Sequence, residues 1–132
     1  MTPEELKQRT KEFGLKTIQL VDQLPQHKTA DTIGRQLVRA AMSVGANYRA
    51  ACRARSQADF VSKIGVVEEE ADELSYWLEV LQEARIASGD GLGRLLKEAR
   101  ELTAIFVASK KTAKQNPRRR PLSRQSSIAN QQ

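Results

Sequence analysis

A chain of 132 residues with 39% hydrophobic content, much of it alanine, is the length of one domain and too lean for a thick multilayer core. One cysteine, four prolines, no alternating β-branched run, no signal peptide and no apolar run of membrane-spanning length argue against a disulfide framework, a sheet and a membrane protein, and lead to the expectation of a soluble cytoplasmic protein. The net charge of +6 is unevenly held: residues 110–132 carry +7 and residues 1–109 carry −1, so the basic character belongs to the tail and points to an anionic partner.

The first helix is expected from Pro3 to about Leu24. Thr2 is placed to cap it, Pro3 suits the first helical position, and Glu5 completes a capping box. Leu6, Thr10, Phe13, Thr17, Ile18, Val21 and Leu24 make its inner face, and Pro25 ends it. A short turn, PQHKTA, places His27 in solvent. The second helix is expected from about Asp31 to Arg53, with Ile33, Leu37, Ala40, Val44, Tyr48 and Ala51 repeating every three or four residues. Its middle is built of small residues, Ala40, Ala41, Ser43, Gly45, Ala46, Ala50 and Ala51, a composition that points to packing on two sides and so to a contact between subunits as well as an internal one.

Residues 56–87 carry the clearest periodicity. Phe60, Ile64, Val67, Ala71, Leu74, Leu78 and Leu81 alternate steps of four and three, which is an unbroken heptad seam along a helix of about 30 residues. Ser56 and Asp59 form the expected capping box, and Gly89 the expected stop. A fourth helix is expected to follow Ser88-Gly89-Asp90-Gly91, with Leu92, Leu95, Ala99, Leu102 and Phe106 on its inner face, fading after Lys111. Residues 114–132 read as a basic disordered tail. The fold class is therefore all-α: residues 1–113 form an antiparallel up-down-up-down four-helix bundle.

Two faces carry opposite charge. Arg35, Arg39, Arg49, Arg53 and Arg55 against Asp31 give the second helix +4, while eight acids against Lys63 and Arg85 give residues 56–85 a charge of −6. The arginines either pair with these acids or contact phosphates. Arg118, Arg119 and Arg120 have no neighbouring acids and are expected to contact phosphate without sequence preference. Glu69, Glu70 and Glu73 form an E-E-x-x-E run that resembles the Mg²⁺-binding helix of all-α nucleotide pyrophosphohydrolases, but the next helix offers Glu98 and Glu101 as E-x-x-E rather than E-x-x-D, and a solvated or arginine-paired face is the plainer reading. Cys52 lies near Arg49, Arg53 and Arg55, yet with no second cysteine or nearby histidine it reads as a small packed residue. Tyr76 and Trp77 flank the seam and either anchor a contact surface or cover the edge of the bundle. There is no glycine-rich phosphate loop, catalytic Ser/His/Asp set or zinc spacing, and no cofactor or metal is expected.

From Ser43 to Leu81 the chain resembles the 23S rRNA intervening-sequence proteins, small bacterial four-helix bundles. Ser43, Asn47, Arg53, Ser56, Phe60, Glu70 and Glu73 occupy the places of that pattern, and Ala50-Ala51 stand where many members have Glu-Gly. Asn47-Tyr48-Arg49 and the run from Glu70 to Leu78 are similar to the branch named four helix bundle protein. The resemblance implies a homopentameric ring. It extends to the accessory variability determinant of diversity-generating retroelements, which binds nucleic acid and a reverse transcriptase through a positive surface. The function expected is a non-enzymatic oligomeric scaffold binding RNA or DNA through Arg35, Arg39, Arg49, Arg53 and Arg118 to Arg120. The alternatives are a protein-interaction adaptor docking through Tyr76 and Trp77, and the Mg²⁺-dependent hydrolase.

Overall fold

The computed structural model describes residues 1–115, and these form four helices: α1 (Pro3–Asp22), α2 (Lys28–Ala51), α3 (Gln57–Glu83) and α4 (Asp90–Gln115). No strand occurs among the described residues, and none of their helices is long and apolar enough to cross a membrane. Of the expected tail, residues 114–132, Lys114 and Gln115 belong to α4, and the rest, with Arg118, Arg119 and Arg120, lies outside the described residues.

The first three helices begin where a side chain satisfies the first amides. Glu5 N–H donates to Thr2 Oγ1 at 3.1 Å and Thr2 N–H donates to the Glu5 carboxylate at 2.8 Å, so the expected box at α1 is complete. α2 starts earlier than expected because His27, exposed in its turn, is the cap: its Nδ1 accepts from Ala30 N–H at 3.2 Å. At α3, Ser56 Oγ accepts from Asp59 N–H at 3.0 Å, but the Asp59 carboxylate reaches past Ser56 and accepts from Arg55 N–H at 3.1 Å. Asp59 also pairs with Lys63 at 2.6 Å.

The helix ends depart from the expected stops for local reasons. Pro25 restricts Leu24, and α1 tightens at its last turn, with Gln23 N–H donating to Leu20 and Leu24 N–H to Val21, each at 3.1 Å. α3 ends at Glu83, well before Gly89. Arg85 takes the left-handed conformation at φ 60°, Ile86 N–H donates back to Leu81 and Arg85 N–H to Gln82. This is a Schellman closure with arginine where glycine is usual, and Ile86 packs on the core as that motif requires. α4 runs past Lys111 because Ala113 is still buried and its carbonyl accepts from the Gln57 side-chain amide at the start of α3.

The core is one cluster. Six of the seven seam residues of α3 are buried, and Phe60 lies at its margin, half-buried. Tyr48, in the last turn of α2, meets Phe106 of α4 with ring centroids 5.7 Å apart. The small residues of α2 serve an internal contact: Gly14 of α1 lies against Met42 and Ala41, Thr10 against Gly45, and Val21 against Gly34. A β-carbon on Gly14 would stand 2.7 Å from the Met42 methyl, so only glycine admits this approach without moving the side chain. Ala40, Ala41 and Ala51 are buried by the chain's own helices, while Ala46 is exposed. α1 meets α4 narrowly, leaving a groove of about 510 Å³ with Phe13, Leu20 and Leu95 on its floor.

Candidate nucleic-acid interface

The arginines of α2 fall into two groups according to what α3 places opposite them. Arg39 sits opposite acids. Its Nη1 donates to the Glu70 carboxylate at 3.1 Å, its Nη2 lies 2.5 Å from Glu73 Oε2, and its Nε donates to Gln36 at 3.2 Å. The same Glu73 oxygen accepts from Trp77 Nε1–H at 2.9 Å, and Tyr76 stands edge-on to the Trp77 ring at 5.1 Å. The Trp77 indole, and after it the Arg39 guanidinium, hold the Glu73 carboxyl below the usual carboxylate range. Arg39 is thus committed to pairing within the chain.

Arg35, Arg49 and Arg53 are exposed and have no ion pair among the described residues. They are not one site. Arg35 borders a groove of about 720 Å³ at the α1–α2 turn, over Val21, Leu24, Pro25 and Val38. Arg53 is 18 residues further on, roughly 27 Å along the helix direction. Arg49 and Arg53 lie at the far end of α2, and Arg55 follows in the junction to α3. The Gln57 to Ala113 hydrogen bond ties this junction to the last turn of α4, where Lys111 and Lys114 are exposed. Sequence reading did not single out these two lysines as partners of the arginines, because only the fold brings residues 53–55 beside residues 111–114. Their neighbours Lys63 and Lys110 are occupied, the first by Asp59 and the second by Glu68 at 2.7 Å.

The carboxylates that resembled a metal-binding set are divided between arginines. Glu70 and Glu73 face Arg39. Glu98 takes a two-pronged bond from Arg9, Nε to Oε2 at 2.6 Å and Nη2 to Oε1 at 2.7 Å, and Glu101 accepts from the same Nη2 at 2.9 Å. Glu69 is exposed on the outer side of α3. No group of three or more His, Cys, Asp or Glu able to hold a metal ion occurs among the described residues. The Arg9 clamp carries no local sequence signal: Arg9 reads as one more base on a solvated helix face, and its partners are 89 and 92 residues away.

Cys52 is buried, and burial pushes its thiol up, outweighing Arg53 nearby. Burial likewise raises the Tyr48 hydroxyl, which shares a hydrogen bond with Cys52.

The chain matches the model of the 23S rRNA-intervening sequence protein family over residues 4–108. The chain belongs to this family. It is also similar to a crystal structure from Bacteroides thetaiotaomicron described as a protein of unknown function from the S23 ribosomal protein family. The TM-score is 0.76 at 27% identity, with 84% of this chain and 99% of that one covered. No curated protein matches the chain. Membership in the 23S rRNA-intervening sequence protein family gives the motif residues a second reading, now with their partners known. Asn47 Nδ2 donates to the Ser43 carbonyl and hydroxyl at 2.9 and 2.8 Å, Ser56 caps α3, Phe60 lies on the core, and Glu70 and Glu73 hold Arg39. Of the seven, Arg53 alone is exposed with no side-chain hydrogen bond or ion pair among the described residues; its backbone N–H donates to Ala50.

Proposed function

We propose that this 23S rRNA-intervening sequence protein is a non-enzymatic, self-associating scaffold that binds nucleic acid at the end of the bundle where α2 and α4 finish. The observation that carries this reading is the contrast within α2. Arg39 is matched by acids, whereas Arg49 and Arg53, with Lys111 and Lys114 across the junction, have no ion pair among the described residues, and Arg55 meets Asp59 only through its backbone amide and the attraction of the two charges. Exposed unpaired bases are the groups free to replace counterions on a phosphate backbone. In the sequence, Arg118, Arg119 and Arg120 come after α4 by way of Asn116 and Pro117 and remain expected phosphate contacts. Arg39 is withdrawn from the contact set, and Arg35 is assigned no part in it. The contacts Thr10–Gly45 and Val21–Gly34, then Gln57–Ala113 and Glu79–Arg100, support an antiparallel up-down-up-down course, which places these termini together.

Self-association is supported by exposed apolar side chains on separate faces: Leu15 and Met42 on the α1–α2 side, Val66 and Tyr76 on α3. Unlike faces that meet head to tail close into a ring when the rotation permits, and the pentamer implied by the family resemblance is such a ring. The free, buried Cys52 is in keeping with a cytoplasmic location.

Light scattering on the full chain, followed by titration with labelled structured RNA across a salt series, tests both parts. A mass of several protomers and binding that weakens steeply with salt are expected. A monomer, or RNA left unbound at low salt, would overturn the corresponding half of the proposal.

A further inference from the structure

Resting on the nucleic-acid reading, we infer that the basic end of the bundle takes duplex nucleic acid by its phosphates, without reading bases. Proteins that hold single strands stack the bases on exposed aromatic rings. The basic end offers none among its described residues. Tyr48 is only 6% exposed and turned inward on Phe106, and Phe60 is half-buried against the core. The exposed Tyr76 and its neighbour Trp77 are about 20 residues up α3 from Gln57, roughly 30 Å away. They also stand among acids: Glu73 holds the Trp77 N–H, and Glu69 and Asp72 are exposed on the same helix. A single strand gripped at the basic end would therefore find charge and no stacking, and one led to the aromatic pair would meet like charge.

A duplex asks for what is present. It carries a phosphate about every 1.7 Å of axis on two strands, so bases set apart across the bundle end can meet phosphates from both. Arg53 and Arg55 precede the Gln57 end of the Gln57–Ala113 contact in the chain, and Lys111 and Lys114 flank its Ala113 end. Guanidinium forks suit phosphate oxygens, and ammonium groups act as point charges beside them. Assigned to phosphates, these four bases position the duplex without reading it, and affinity is independent of sequence.

The test is fluorescence anisotropy of the full chain with RNA and DNA duplexes of about two helical turns, and with their separated strands, between about 50 and 200 mM salt. The expected result is duplex binding about tenfold or more tighter than single-strand binding, unchanged by scrambling the sequence. With the four bases Arg53, Arg55, Lys111 and Lys114 in contact, the slope of log affinity against log salt on a DNA duplex is about −3.6. The comparison of RNA with DNA decides which duplex is preferred. The double variant Arg53→Glu, Lys114→Glu, checked for retained helicity by circular dichroism, is expected to lose about tenfold or more of duplex affinity. Single strands bound as tightly as duplexes, or a folded double variant with unchanged affinity, would overturn the inference. Failure of every nucleic acid to bind would instead remove the reading on which it rests.

Discussion

Arg39 and Arg53 are the same residue type on the same helix, and the protein uses them differently. Around Arg39, α3 supplies Glu70, Glu73 and the Trp77 indole, so a charged side chain becomes part of the helix–helix contact. Near Arg53 in the chain, the acid Asp59 is taken up by Lys63 and by the Arg55 amide before α3. A base with local acids holds register, and a base without them remains available to a partner. Net charge over a helix does not separate the two cases, because the matching is made residue by residue across the interface.

Removing each arginine in turn breaks this comparison most directly. Arg39→Ala is expected to lower stability by about 1 kcal/mol in denaturant unfolding, the upper range for a half-exposed pair, and to shift Trp77 emission. Arg53→Ala is expected to leave stability within about 0.5 kcal/mol while weakening nucleic-acid binding. Equal stability losses for the two variants would erase the distinction. A smaller effect follows from pH. The folded Glu73 carboxyl titrates below its ordinary value of 4.5, so its stabilisation is fully present above that value and is lost as pH falls through the folded value. Between about pH 5 and 3, Glu73→Gln is therefore expected to show a shallower loss of melting temperature than the natural chain, and Arg39→Ala to share part of that flattening. Parallel curves would mean that the pair contributes nothing to acid sensitivity.

The smallest effect expected is at Arg85, a base at the opposite end of α3 from the proposed interface. Its left-handed backbone favours glycine. Arg85→Gly is expected to raise stability by about 0.5–1 kcal/mol and to leave duplex affinity unchanged although a positive charge has gone. A loss of affinity comparable to that of Arg53→Ala would show that total charge, rather than its position, governs binding.

Several features were legible from the chain alone because they depend on residues close in sequence. The Thr2–Glu5 box, the seam from Ile64 to Leu81 and the existence of four helices follow from periodicity and capping, which act over three or four residues. The ends were less legible. His27 as a cap and Arg85 as a left-handed stop involve residues seldom used in those roles, and Asp59 chose the Arg55 amide over the Ser56 amide by a difference of one residue. The family pattern was also visible in the sequence, though not the structural work its residues do.

Sequence by itself determined that this is a helical protein with one basic and one acidic central helix and a basic tail. Tertiary structure decided which charges cancel. It set Arg39 against Glu70 and Glu73, closed Arg9 on Glu98 and Glu101 from nearly 90 residues away, and left Arg53, Lys111 and Lys114 without an ion pair among the described residues. The physical reason is that hydrophobic periodicity is written along a single helix, whereas an ion pair exists only within about 4 Å, a separation that packing alone determines.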